Sequence, residues 1–305
     1  MEIYELRDGD IPVLKITGIA NFDVNKIFDC GQSFRFERVE NSTHEIEFSG
    51  VAYGRFVSFA QDGDTVYVYG SDREDLEAVW RKYLDLDRDY DAVGADIARC
   101  CDHEAMRAAI EYGRGIRILS QDPFECVISF IISQNNNIPR IKKIIEALCL
   151  KCGTPIELPR GMEKHSSGKS SLCAFPTAQA IAALGEDGLF ELKTGFRAKY
   201  IYDAVSQIGD GRLSLAPILD ENDTEKAIEA LCRVKGIGRK VASCALLFGF
   251  GKYDAFPVDV WMKRVGEKYF GDEGRELTGA RFGAYAGIAQ QYLFYYERYR
   301  SLEGK

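Results

Sequence analysis

Short apolar and aromatic runs punctuate the chain between Ile11 and Gly70: IPVLKI, QSFRFERV, HEIEF, RFVSF and TVYVYG. They are rich in β-branched and aromatic residues and are broken by Gly, Asp and Asn, which predicts short strands. TVYVY alternates, so one of its faces should be wet and the other buried. Ser71 and Glu74 then stand in the S-x-x-E spacing of a capping box, ahead of Leu76, Val79, Trp80, Tyr83 and Leu84 at helical intervals. The pattern predicts an antiparallel sheet with a helix or two over residues 1–104.

The period changes after that. Asp122, Pro123 and Glu125 are start signals for a buried helix, FECVISFIIS. Pro139 sits in the first turn of RIKKIIEALCLKCG, which should close on Gly153. The polar, Ser/Gly-rich stretch EKHSSGKSSLC predicts a flexible loop. Amphipathic helices are expected in FPTAQAIAAL, FRAKYIYDAVSQIG, DTEKAIEALCRV and GAYAGIAQQYLFYYERYR. There is no internal repeat.

Composition narrows the function classes. A chain of 305 residues can bury a large core. No apolar run is long enough to span a bilayer. The acidic, polar start MEIYELRDGD is unlike a signal or transit peptide, so a cytoplasmic or nuclear setting is expected. The nine cysteines lack the spacing of a zinc or iron–sulfur site; Cys149 and Cys152 make a single C-x-x-C, and no metal is expected. Their odd number and apolar neighbours fit reduced thiols.

The net charge of −8 argues against nucleic acid until its distribution is considered. Residues 1–104 carry 11 Lys and Arg against 23 Asp and Glu, a balance of −12, leaving +4 for the rest. Between Arg233 and Lys268 eight basic residues face three acidic ones. Such a local excess is a footprint for phosphate, though on charge alone it could be an ordinary solvated surface.

The stretch RVKGIGRKVASC, followed by ALLFGF, reads as helix, hairpin, helix. Gly236 and Gly238 permit positive φ and close approach of backbone to a ligand, and N–H groups opening the second helix can hold a phosphate oxygen. A plain glycine-containing turn is the alternative. Lys240 lies in the first turn, with Cys244 and Phe248 four and eight residues on along one face. An ammonium ion beside a helix N-terminus and apolar neighbours should lose its proton more easily, becoming a nucleophile able to form a Schiff base. Taken alone, a phosphate contact or a snorkelling side chain explains it as well. In FPVDVWMKR, Asp259 is placed to cap the next helix, and also to pair its carboxylate with the Lys240 amine beside a cation developing on a sugar.

Taken together, VKGIGRKVASC and AFPVDVWMKR resemble the hairpin and aspartate signature of base-excision DNA glycosylases. With CGQSFRF, QDPFECVISFIISQNNNIPRI, TGFRAKY and AGIAQQYLF, the chain resembles the 8-oxoguanine DNA glycosylase/lyase family from Gly31 to Phe294. The resemblance implies that the Gly31 carbonyl accepts the N7 proton that distinguishes 8-oxoguanine from guanine. It implies that Gln290 reads the Watson–Crick edge and that Phe294 and Cys244 sandwich the flipped base. Asn135, Arg140 and Arg197 match the residues that hold the orphaned cytosine. Phe196 stands where eukaryotic members have a tyrosine wedge, and Trp261 where they have a phosphate-contacting histidine.

The expected fold is α+β: an antiparallel β domain over 1–104, then a two-lobed helical domain over 105–305, whose second lobe includes 223–268 with the hairpin. The expected activity is cofactor-free excision of 8-oxoguanine opposite cytosine in double-stranded DNA, followed by strand cleavage, by a monomer at the nucleoid or in a nucleus. A glycosylase for another damaged purine, which would generally lack the lysine, is one rival. A non-catalytic hairpin DNA-binding protein is the other.

Overall fold

The computed structural model describes residues 1–168, 172–271 and 277–303, with side chains as far as Arg300. Six antiparallel strands form one sheet: β1 Glu2–Asp8, β2 Ile11–Thr17, β3 Phe36–Arg38, β4 Ile46–Ala52, β5 Arg55–Asp62 and β6 Thr65–Tyr69. Their order is β1-β2-β6-β5-β4-β3, so β6 pairs with β2 on one side and β5 on the other. The edge strand β1 has no counterpart among the predicted strands. It is exposed at every residue but Ile3, and so lacks an apolar face to announce it. QSFRFERV yields only the three residues of β3; ahead of it the carbonyls of Cys30 and Gln32 are held from the helical side of the molecule by Gln291 and Gln121.

Residues 73–83 are helical, with a wider π turn at Leu76–Trp80. Their cap differs from the predicted box: Asp72 accepts the Asp75 N–H at 2.9 Å. Ser71 is buried and accepts the indole N–H of Trp80 at 2.7 Å. A buried indole donor needs an acceptor, and that requirement outweighs the cap. Trp80 and Tyr83 pack with Phe28, Phe36 and Phe59 as the core beneath the sheet.

Helices of eight residues or more are α1 Tyr90–Cys100, α2 Glu104–Tyr112, α3 Pro123–Ser133, α4 Ile138–Cys152, α5 Ala198–Gly209, α6 Thr224–Cys232, α7 Arg239–Gly249, α8 Val260–Tyr269 and α9 Ala286–Glu303. Asp122 caps α3 and Asn137 caps α4, with Pro123 and Pro139 in their first turns. Buried from Cys126 to Ile132, α3 is the central helix and packs on α7. A second apolar core runs through these helices. It begins at Tyr90 and takes in Cys30 and Phe34, whereas the sheet core ends at Leu86 apart from Leu119.

Two buried charges join the layers. The Arg117 guanidinium donates to the carbonyls of Ala20 and Asn21 at 2.7 and 3.0 Å, and to those of Asp85 and Arg88. The EKHSSGKSSLC stretch, predicted to be a flexible loop, instead docks on the sheet at Met162–His165; residues 169–171 lie outside the described structure. His165 bonds Glu47 in the sheet. Burial alone would raise the Glu47 carboxyl, but hydrogen bonds from His165, Ser42 and Ser58 outweigh it and hold it below its ordinary value. No described helix is long and apolar enough to cross a membrane.

Candidate active site

A turn at Val234–Gly238 joins α6 to α7. The Ile237 N–H bonds the Val234 carbonyl at 3.1 Å. Gly236 has φ +86°, and a Cβ there would stand 2.2 Å from the Tyr200 ring, so glycine is required twice over. Gly238 is different. Its φ is −91°, outside the left-handed region, and its surroundings are open. It heads α7 without a side-chain cap, leaving first-turn N–H groups open to an anion.

In the first turn of α7, Lys240 is half-buried, its Nζ 5.9 Å from the centroid of the Phe130 ring. Beneath it Phe34 meets Phe130 edge to face and Phe130 stacks on Phe248, with centroids 5.6 and 5.4 Å apart. Asp259 caps α8, one carboxylate oxygen accepting the Met262 N–H at 2.9 Å. Lys240 and Asp259 line the same cleft of about 920 Å³. Cys244 lies behind them, buried. Burial raises its thiol pKa; the charge and hydrogen bonding of Lys240 act against that rise, and the Asp259 charge adds to it.

Gly31 and Phe294 also line this cleft. Gly31 has φ +84°, and a Cβ there would come within 3.8 Å of the Phe294 ring. Trp261 meets Phe294 edge to face at 6.2 Å and carries the Arg264 guanidinium 5.3 Å over its own ring. Gln290 is one turn before Phe294 on α9 and buried. The site thus joins an amine and a carboxylate to an aromatic platform facing a glycine backbone. An uncapped helix N-terminus stands at its mouth.

Comparison with known proteins agrees with this geometry. Residues 15–127 match the 8-oxoguanine DNA glycosylase N-terminal domain, and residues 128–281 match the HhH-GPD superfamily of base excision DNA repair proteins. A solved Clostridium acetobutylicum 8-oxoguanine glycosylase/lyase, in complex with double-stranded DNA containing cytosine opposite 8-oxoguanine, superposes with a TM-score of 0.88. It shares 36% identity over 99% of each chain. The chain belongs to the 8-oxoguanine DNA glycosylase/lyase family. The N-glycosylase/DNA lyase OGG1 of Arabidopsis thaliana is 29% identical over 292 residues, 88% of this chain and 75% of that one. The Archaeoglobus fulgidus 3-methyladenine DNA-glycosylase, at 22% identity and a TM-score of 0.67 over 94% of this chain, shares the fold.

Around the rim of this family cleft the structure sorts the remaining residues. Asn135, with φ +46°, and Phe196, half exposed, line it. Arg140 is exposed beside them and donates to Lys193 O at 3.3 Å. Arg197 does not share that position. It is buried, and its guanidinium donates to the carbonyls of Gln134 and Asn135 at 2.8 and 2.9 Å and to Thr194 O at 3.1 Å. Burial, and then the charge of Arg140, lower its pKa. Reaching an orphaned base would require Arg197 to give up those carbonyls, whereas Arg140 need give up only one long contact.

The basic footprint is also smaller than its count. Arg239 pairs with Glu225 at 2.7 Å and Lys268 with Glu297 at 2.8 Å, while Lys252 donates to Leu219 O at 2.9 Å. Arg233, Lys235, Lys263 and Arg264 have no carboxylate partner among the described residues. Sequence reasoning passed over Tyr200 and Asp203, which brace the hairpin from α5: Asp203 accepts the Lys235 N–H at 2.9 Å. It also passed over the buried Gln32, Gln121 and Gln291. Gln32 and Gln291 carried a signal, an uncharged amide within a strand-like or apolar helical run, whereas Gln121, between Ser120 and Asp122, carried none.

Proposed function

We propose that this protein excises 8-oxoguanine from duplex DNA, preferentially opposite cytosine, and then cleaves the strand through a Schiff base. The observation that carries this is the shared cleft: Lys240 and Asp259 on one wall, Gly31 and Phe294 on another. With the lesion flipped against Phe294, its N7–H meets the Gly31 carbonyl, whereas guanine would oppose a lone pair to it. The free amine of Lys240 attacks C1′, the glycosidic bond breaks, and the base leaves with the bonding electrons and takes up a proton. Asp259 stabilises the positive charge that develops on the sugar. The nitrogen now bonded to C1′ gives up a proton, its lone pair opens the C1′–O4′ bond, and O4′ takes up a proton as the 4′ hydroxyl. The protonated imine so formed acidifies the neighbouring C2′ protons, and loss of one of them by β-elimination expels the 3′ phosphate. Asn135 and Arg140 hold the orphaned cytosine, with Arg197 fixing the loop that carries Asn135. Gly238 and the first turn of α7 hold a backbone phosphate.

A panel of single-lesion duplexes tests the substrate, and borohydride tests the chemistry. Reduction of the imine should lock the wild-type protein onto DNA containing 8-oxoguanine, and Lys240→Gln should abolish both trapping and cleavage while retaining lesion binding. Trapping at the wild-type level by Lys240→Gln would place the chemistry on another amine. Excision of alkylated purines in preference to 8-oxoguanine would instead favour the rival lesion.

A further inference from the structure

From Cys30 to Arg35 the chain has no regular secondary structure and sets Gly31 and Phe34 on the cleft, yet two of its carbonyls are held from different directions. Gln291, on α9, donates its amide to Cys30 O at 2.8 Å. Gln121, ahead of α3, donates to Gln32 O at 2.8 Å. The Gln32 side chain donates to Ile27 O and Arg117 O at 2.9 and 2.8 Å and accepts the Leu119 N–H at 2.9 Å. These three amides are 3%, 9% and 1% exposed, respectively. Between the two glutamine-held carbonyls, that of Gly31 accepts no hydrogen bond among the described residues.

Primary amides are unfavourable in a core unless fully bonded, and apolar side chains fill such positions more readily. Two of them from separate segments converge on the carbonyls of the residues either side of one glycine that lines the cleft. We propose that Gln291 and Gln121 are positioning residues that pin the Gly31 carbonyl and thereby set the discrimination between lesion and normal base. The reason is mechanical. A mobile carbonyl could swing away from the N7 lone pair of guanine and relieve the repulsion; a pinned one cannot. This inference rests on the reading of the pocket proposed above.

The test uses Gln291→Met and Gln121→Met, which keep volume and remove the donor. In proteins that also carry Lys240→Gln, equilibrium binding should show the affinity ratio of 8-oxoguanine:cytosine to guanine:cytosine duplexes falling about tenfold. In otherwise wild-type protein, cleavage at a preformed abasic site, which presents no base to Gly31, should stay within twofold. A ratio unchanged in both variants overturns the inference, as does a parallel loss of abasic cleavage, which would reveal a merely structural role. Absence of discrimination in the parent protein would instead overturn the pocket reading itself.

Discussion

In the proposed reaction Asp259 has a catalytic role beside its structural one, and one substitution can separate them. Its cap on α8 uses a single oxygen accepting the Met262 N–H, and an asparagine amide oxygen can replace that acceptor. Its charge facing the Lys240 cleft cannot be replaced in this way. Asp259→Asn should therefore lower glycosylase turnover by about a hundredfold, with a melting temperature close to wild type. Single-turnover kinetics beside calorimetry would check this, and parallel loss of stability would return the residue to a structural role. On the rim, Arg140 has donors that Arg197 has committed to loop carbonyls. Arg140→Ala should narrow the preference for cytosine over adenine opposite the lesion by roughly 1–3 kcal/mol, read from the ratio of excision rates. Arg197→Ala should act chiefly on stability.

At the scale of elements, the hairpin is a braced turn rather than a flexible one. Gly236 packs against Tyr200, and Asp203 holds the Lys235 N–H. Gly236→Ala drives a methyl group into the Tyr200 ring and adds a left-handed backbone penalty, together about 2–5 kcal/mol. The turn should yield before the fold does. Duplex affinity should fall, and its salt dependence should become shallower as a phosphate contact is lost, since each such contact contributes about one to the slope. Fluorescence anisotropy across a salt series measures both; an unchanged slope would remove the phosphate from this turn.

Across the whole molecule, the Arg35–Glu125 pair ties the segment before β3 to α3, its nearest atoms 3.7 Å apart. Burial raises Glu125 to about 7, beyond what Arg35 offsets, from an ordinary value of 4.5. The folded state therefore keeps this proton where the unfolded chain releases it. The group's contribution is full below about pH 4.5 and is lost as the pH rises to about 7 and above, an effect of roughly 3 kcal/mol. Melting temperature followed from pH 5 to 8 should decline in the wild type, and Glu125→Gln should flatten that decline. Equal slopes would mean that Glu125 is ionised throughout.

Elements with strong local signals were legible in the chain alone. The cap of α3, the proline start of α4 and its close at Gly153, the hairpin, and the Lys240 and Asp259 helix starts each rest on residues within a turn of one another, so local chemistry determined them. The exposed strand β1 was not legible, because it buries no face of its own. Ser71 exchanged a capping role for the Trp80 indole, a partner nine residues away that periodicity cannot reveal. Arg197 shows the same limit. Sequence could place a guanidinium beside the asparagine loop, but only packing decided that it lies beneath the loop with its donors already engaged. The sequence by itself determined which groups could do the chemistry, since reactivity follows from side chain and local backbone. Tertiary structure alone decided which of them share a cleft and which carbonyl stays open. Those outcomes depend on hydrogen bonds between segments as distant in the chain as Cys30 and Gln291.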